Sequence, residues 1–363
     1  AGLLEDEPRF DYSGGATCPS LLLEPQRVNL WPYSEYIGAM TNTRTTDSPN
    51  ATTSPEGVQN ASLVTDDSTA ASSHFVRDGQ YILTSGTTYT FSFYAKSNGR
   101  NVGFNFDTGV GAAAPAIFNL SSGVVFNSGS FATSIEDAGN GWYRCIGAFT
   151  SSATASSFIY VRGADSGGLT IYDGDGTSGF YIWGFQLEQG SYPTSYIPNH
   201  SGGTITRGDD AASITGASSL IGQTEGTFYV DFEYLDGQSS SNENWFALES
   251  DAGGDRILFY KGATTNQRIL IQANATNVYA NSSLFAISAG TRYKLAVRYN
   301  SGNIAVYVNG SQIATDATTY TRTDNLNNIT FNESSQDLSS RFNQMLVFPE
   351  GLSNADLATL TTI

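Results

Sequence analysis

The period of the apolar residues constrains this chain most. Phe228, Val230, Phe232 and Tyr234 fall on one side of an alternating run, and Asp231 and Glu233 fall on the other. A period of two puts successive side chains on opposite faces of a strand. Residues 293–299 repeat the pattern and lead through Asn300-Ser301-Gly302-Asn303 into residues 304–308, a hairpin. Asn309-Gly310 then marks a tight turn. Shorter runs of the same kind lie at residues 89–95 and 158–161. Residues 180–187 are apolar on both faces, which predicts a central, buried strand. The runs are separated by Gly, Asn, Asp and Ser, and no helical period of useful length intervenes. One short helix is expected at about 353–360, with Ser353 as its N-cap and Asp356 three residues on.

The expected fold is therefore all-β, and 363 residues suit two sandwiches better than one. The division expected is a connecting segment at 1–30, one sandwich at 31–200 and a second at 210–363. Within the first segment, residues 8–13 and 20–25 look like two short strands around a Gly-rich loop. Pro193, Pro198 and the pair Gly202-Gly203 mark the boundary between the sandwiches as a short, stiff linker. The N-terminus starts in mid-pattern, which suggests preceding chain. It carries Glu5, Asp6 and Glu7 where a signal peptide would be basic and apolar.

Charge narrows the partners. The net charge is −17, and only 14% of residues are charged, against roughly a quarter in an average soluble domain. No basic stripe is present to neutralise phosphates, so nucleic acid is not an expected partner. No apolar run reaches the roughly 18 residues of a membrane span. Two cysteines, Cys18 and Cys145, do not make a disulfide framework. Cys145 sits in a strand-like run, where a buried free thiol is expected; a bridge to Cys18 is the alternative.

Catalytic chemistry finds little support. Hydrolysis of a glycosidic bond uses two carboxylates flanking it. The nearest pattern is Glu249-Ser250-Asp251, with no third acid at the spacing Glu-x-Asp-x-x-Glu. Asp231 and Glu233 share a strand face and read as solvated. Tyr260-Lys261-Gly262 faintly echoes a lyase site, but no histidine is near. The only histidines, His74 and His200, stand in no recognisable triad. No cofactor is expected. Asp173 and Asp175, in Asp173-Gly174-Asp175-Gly176, could hold a structural calcium, although the distal Glu of an EF-hand loop is missing; a turn rich in Asp and Gly is the plainer reading.

Sugar recognition asks for aromatic faces bordered by amides and charged groups. The candidates are Trp31, Tyr33 and Tyr36 in the first sandwich. In the second they are Trp245 and Tyr260, with Asn242, Asn244 and Arg256. A core position is the competing reading for each aromatic, and Trp142 and Trp183 are assigned to the core.

Three stretches bear a resemblance. Pro8-Arg9-Phe10-Asp11-Tyr12-Ser13 followed by Cys18-Pro19-Ser20-Leu21-Leu22-Leu23-Glu24-Pro25-Gln26-Arg27-Val28-Asn29-Leu30 resembles a segment recurrent in phage tail-fibre, spike and head-fibre proteins. Gly141-Trp142-Tyr143-Arg144-Cys145, and Tyr181-Ile182-Trp183-Gly184-Phe185-Gln186-Leu187-Glu188 with Ser191-Tyr192-Pro193-Thr194-Ser195-Tyr196-Ile197-Pro198, look like parts of the same pattern. That region is similar to a carbohydrate-binding-module jelly roll. Residues 210–363 resemble a concanavalin-A-like, laminin-G-like sandwich, on the 293–299 strand, the Val306-Tyr307-Val308-Asn309-Gly310 turn and Phe348-Pro349-Glu350-Gly351-Leu352-Ser353. The resemblance implies a non-enzymatic, glycan-binding part of a phage fibre or spike, exposed on the virion surface. It implies a host cell-surface glycan as partner and a trimer formed through an upstream stalk. Acidity favours a neutral or amine-bearing polysaccharide. The alternatives are a binding or catalytic part of a secreted polysaccharide-degrading enzyme, and a virion spacer without ligand. Fold does not choose among them.

Overall fold

The computed structural model describes residues 8–12, 19–236, 243–262, 266–281, 283–331 and 339–363. It forms two antiparallel β-sandwiches and one short C-terminal helix. Two compact units are present: residues 27–207, and residues 208–363 joined by the N-terminal strands.

The first unit has two six-stranded sheets. One orders the strands Val124–Asn127, Ala116–Asn119, Asn101–Phe106, Ala155–Ala164, Phe75–Leu83 and Thr41–Thr43. The other orders Ala132–Gly139, Trp142–Thr150, Thr88–Asn98, Gly179–Gln189, Ala61–Asp66 and Thr45–Thr52. Between them lies an aromatic core. Phe91, Phe93, Phe104, Phe106, Phe118 and Phe185 are fully buried, each contributing about 2–3 kcal/mol by leaving water. Cys145 is a free thiol in this core, and burial pushes its pKa well up. Cys18 lies outside the described residues.

Gly179–Gln189 is central and buried on both faces, as its apolar run implies. A bulge resets its phase between Trp183 and Gln186. Gly184 makes the bulge possible: its φ is +68°, and a Cβ there would stand 2.9 Å from the Tyr94 ring. Beyond the bulge, Phe185 and Leu187 join the inter-sheet core. Gln186 and Glu188 fall on the opposite side of the strand, where they are completely buried.

What buries them is the segment at residues 191–199, which carries Pro193 and Pro198. Glu188 accepts hydrogen bonds from the Thr194 hydroxyl (2.5 Å), the Thr194 amide (3.1 Å) and Gln186 Nε2 (2.6 Å). The Ile197 amide donates to Gln186 Oε1 (2.6 Å). Asn29 completes the lock. Its Nδ2 donates to Ser34 Oγ and the carbonyls of Phe185 and Ile197. Its Oδ1 accepts from the amides of Trp31 and Leu187. Residues 191–199 are thus part of the first unit, and the chain leaves it only after Ile205–Arg207 has paired with Arg27–Asn29.

The second unit stacks two seven-stranded sheets. The first runs Phe10–Asp11, Ser20–Leu23, Ser339–Phe348, Thr227–Asp236, Thr291–Asn300, Asn303–Val308 and Ser311–Asp316. The other runs Ala212–Ile214, Leu326–Phe331, Glu243–Ser250, Arg256–Lys261, Asn266–Ala273 and Thr276–Ala280, with Phe285–Ala286 beside Asn266–Ala273. The two strands expected within 8–25 pair with each other and join this unit's sheet. Phe228, Val230, Phe232 and Tyr234 enter the core together. Asn309 and Gly310 both have positive φ, forming the tight turn into Ser311–Asp316. The helix is Asn354–Thr361, with Ser353 Oγ accepting the Asp356 amide. It seats Leu357 on Tyr229, Ala296, Ala305 and Tyr307, the outer side of the first of these sheets.

Replacing Asn29 by alanine removes one side chain and strands the amides of Trp31 and Leu187. The expected loss is about 3 kcal/mol, read as a lower urea midpoint for the first unit. A loss below about 1 kcal/mol would mean that the buried network does not hold this segment.

Candidate functional site

The Asn29 lock also shapes the loop that follows it. Trp31 is turned inward and is 1% exposed. Its ring stacks on Phe185 at 4.8 Å and Tyr81 at 5.4 Å, and its Nε1 donates to the Tyr33 carbonyl. Trp31 is therefore a core residue, not a stacking platform. Tyr33 and Tyr36 face the other way and are 37% and 57% exposed. Their rings meet edge to face at 6.3 Å. Between them Glu35 accepts from Asn60 Nδ2 (2.8 Å) and the Tyr196 hydroxyl (3.0 Å). His200 Nε2 stands 3.7 Å from Glu35 Oε1. Asn199 ties the loop down: its Nδ2 donates to the Trp31 carbonyl, and its amide donates to Ser34 Oγ. Two exposed phenol rings and a carboxylate thus sit on a rigid base.

In the second unit a bulge decides which side chains face outward. The register slips between Asn244 and Phe246, so that Trp245 and Phe246 both enter the core. Trp245 is 1% exposed, packs on Phe232 and Phe259, and donates from Nε1 to the buried Gln267 Oε1 at 2.7 Å. It too is corrected to a core residue. Asn244 and Tyr260 lie directly opposite each other on neighbouring strands. The Arg268 guanidinium lies 5.9 Å from the Tyr260 ring centroid. Arg256, two residues before Leu258 and four before Tyr260, shares their outward face and donates to Gln272. Ala247, Leu258 and Leu270 form a small apolar strip beside Tyr260. Asn242 lies outside the described residues. The fold brings Asn244, Tyr260 and Arg256 onto one surface and takes Trp245 out of it.

The acids and histidines are placed as follows. Glu249 and Asp251 line a shallow cleft with Asn328 and Thr330. Asp251 accepts amide hydrogens from Asn327 and Asn328. Asp255, the next acid along, is fully buried and accepts the amides of Asn274, Thr323 and Asp324. Asp231 and Glu233 are not solvated as their pattern suggested. Asp231 is 2% exposed and takes a bidentate contact from Arg292, while Glu233 pairs with Arg341, which also pairs with Asp11. Lys261 is buried. His74 is buried against Tyr172, with Nε2 3.4 Å from Asp67. Asp173 Oδ1 accepts the Ala71 amide. Asp175 caps the amides of Thr177 and Ser178, which hold its carboxyl well below the usual range. Arg100 reaches Asp175 at 3.2 Å and Asp66 at 2.7 Å. Among the described residues, no group of three or more His, Cys, Asp or Glu side chains could hold a metal.

One aromatic row was missed by reading residues singly. Phe158, Tyr160 and Arg162 alternate with the buried Ile159 and Val161. The alternation itself was the available signal, since it places all three on the outward face of a strand whose other face is core.

No protein-family model and no curated protein matches the chain. Among solved structures, the chain is similar to a heptameric SAP-like pentraxin from Limulus polyphemus, at 17% identity over 39% of this chain and 70% of that one, with a TM-score of 0.31. It is similar to the CBM40 of the Ruminococcus gnavus IT-sialidase bound to α2,3 sialyllactose, at 13% identity over 40% and 87%, with a TM-score of 0.34. It is also similar to botulinum neurotoxin type C, whose cell entry depends on two ganglioside molecules, at 13% identity over 42% and 39%, with a TM-score of 0.35. At this identity and TM-score the likenesses bear on no individual residue of this chain.

Alanine at Trp31 or Trp245 should destabilise its own unit by about 3–5 kcal/mol. Alanine at Tyr36 should change stability by no more than about 0.5 kcal/mol. Thermal unfolding of the three variants distinguishes core from surface, and a Tyr36→Ala variant that unfolds with the other two would remove this loop as a surface.

Proposed function

We propose that this chain is a non-catalytic glycan-binding protein. The observation that carries the reading is the loop of Tyr33 and Tyr36: two exposed rings at right angles, the partly exposed Glu35 between them in sequence, and a base fixed by Asn29 and Asn199. Exposed aromatic faces favour the apolar faces of pyranose rings, and a nearby carboxylate accepts sugar hydroxyls or an amine. The base is already ordered, so a sugar need not pay to organise it. The Asn244, Tyr260 and Arg256 surface supplies a second platform in the other unit. Glu35 gives the tyrosine loop a preference for neutral or amine-bearing sugars.

The setting we propose is the outer part of a phage tail fibre or spike that recognises a host cell-surface polysaccharide, carried as a trimer on an upstream stalk. Shallow sites of this kind bind weakly one at a time, and several linked copies gain avidity without new contacts. Array binding of neutral and amine-bearing glycans by the intact chain should weaken tenfold or more in the Tyr33→Ala, Tyr36→Ala double variant while the melting temperature stays unchanged. Release of reducing ends or unsaturated sugars from a bound polysaccharide, abolished by substituting Glu249 or Asp251, would replace this reading with an enzymatic one.

We also propose that the Asp173–Asp175 loop holds no calcium, because the Arg100 guanidinium stands where a cation would bind the Asp175 carboxylate. A chelator should leave the melting temperature of the first unit unchanged, and Arg100→Met should lower it. A sharp fall with chelator would establish calcium instead.

A further inference from the structure

The first unit carries a second outward surface whose chemistry differs from that of the tyrosine loop. On the sheet containing Ala155–Ala164, Tyr160 lies between Asn105 and Arg77 on the neighbouring strands, and Arg162 lies opposite Phe75. Directly opposed residues of antiparallel strands project from the same face. The side chains interleave. The Arg77 guanidinium is 4.6 Å from the Phe158 ring centroid, and Arg162 is 5.7 Å from both Phe75 and Tyr160. Phe75 and Tyr160 meet edge to face at 5.4 Å.

Neither guanidinium has a hydrogen bond or an acidic partner among the described residues. The segment 27–207 contains eight Arg and Lys against thirteen Asp and Glu, so an acid partner was abundantly available. Arg100 has two, Asp66 and Asp175. Asp107, at the end of the strand beside this face, accepts instead from the Tyr160 hydroxyl and the Phe158 amide. Of these guanidiniums, Arg162 Nε is fully buried, and one further polar atom is buried without a partner: Asn105 Oδ1, on a residue only 8% exposed. Burial pulls the Arg162 pKa down, the mark of a cation lacking a counter-charge. Buried polar groups left unpaired are costly, and guanidiniums stacked on rings present their remaining donors as a planar fork suited to a carboxylate.

We propose that the face formed by Phe75, Arg77, Asn105, Phe158, Tyr160 and Arg162 binds a carboxylated sugar. The rings take the pyranose face, Arg162 and Arg77 take the carboxylate, and Asn105 Oδ1 accepts a hydroxyl. The chain would then read two sugar chemistries, one at the tyrosine loop and an acidic one here, despite its acidic net charge.

The test is titration calorimetry of the full chain with uronate-bearing and sialate-bearing oligosaccharides, each beside its carboxyl-reduced counterpart. Binding of at least one acidic oligosaccharide is expected, weakened tenfold or more by carboxyl reduction and by added salt. Arg162→Gln and Arg77→Gln should each weaken it tenfold or more. Arg162→Lys should keep part of the affinity, since it retains charge but loses the fork. Tyr33→Ala, Tyr36→Ala should leave it unchanged, which separates this site from the proposed function of the tyrosine loop. The proposal is overturned if no acidic oligosaccharide outbinds its reduced form. It is equally overturned if such binding persists in both folded arginine-to-glutamine variants, or if it disappears only with the tyrosines.

Discussion

The first unit depends on a buried polar lock built from Asn29, Gln186, Glu188 and Asn199. All four side chains are completely buried, and burying such groups is unfavourable unless their hydrogen bonds are satisfied. Glu188 is the extreme case. Burial pushes its pKa up, while Thr194, Gln186 and the charge of Arg144 oppose that rise. Arg144 itself donates to the Thr194 carbonyl at 2.6 Å, so the chain at Thr194 is gripped from both sides. The result is a segment without secondary structure that is nonetheless fixed, with Tyr196 packed on Trp183 at 4.5 Å. The tyrosine loop inherits its order from this segment, because Asn199 and Asn29 hold both of its ends.

The lock explains where sequence reasoning succeeded and where it did not. Periodicity sees side chains that alternate between core and solvent. It placed the strands around 228–234 and 293–308, the Asn309-Gly310 turn and the Ser353 cap, because each of these is a local pattern. It does not see a hydrogen bond from residue 29 to residue 197. Pro193, Pro198 and Gly202-Gly203 marked a boundary after the first sandwich at 31–200, but composition does not show that distant amides and a carboxylate hold residues 191–199 against a sheet. Bulges have the same invisibility. One extra residue near Trp245 sends two successive aromatics inward, and nothing in Asn244-Trp245-Phe246 announces it. Trp31 failed similarly: its surroundings look like a loop, but Asn29 folds that loop so that the indole enters the core. Of the other residues singled out for sugar contact, Tyr33 and Tyr36 are exposed, and Asn244, Arg256 and Tyr260 are half-buried on an outward face.

Charge shows the same division between an average and a location. A net charge of −17 describes the chain's solubility and its long-range field, yet the acids are not spread evenly over water. Asp231, Glu233 and Asp11 are joined through Arg292 and Arg341 on one sheet face. Asp66 and Asp175 share Arg100. In a chain with twice as many acids as bases, some arginines still rest on amides and carbonyls rather than on an acid, as Arg298 does on Asn303 and the Leu352 carbonyl, so the placement of each cation is more informative than the total.

The two sandwiches solve one geometric problem in parallel ways. A sheet in a sandwich buries one face against its partner sheet and leaves the other to be covered or exposed. In the first unit, the outer side of the sheet holding Gly179–Gln189 is covered by residues 191–199, over Trp183 and Tyr94. In the second, the helix Asn354–Thr361 covers the outer side of the sheet holding Thr227–Asp236. Each unit thus closes one outer face with its own chain. Each also leaves the opposite sheet with an outward row in which arginine sits against an aromatic ring: Arg162 and Arg77 with Tyr160 and Phe158, and Arg268 with Tyr260. A guanidinium over a ring is itself a favourable contact, worth roughly 0.5–1 kcal/mol at an exposed site, and its stem covers the apolar surface beneath. The same pairing also occurs at Arg144 and Tyr94, on the outer side that residues 191–199 cover, so it accompanies covered and outward rows alike.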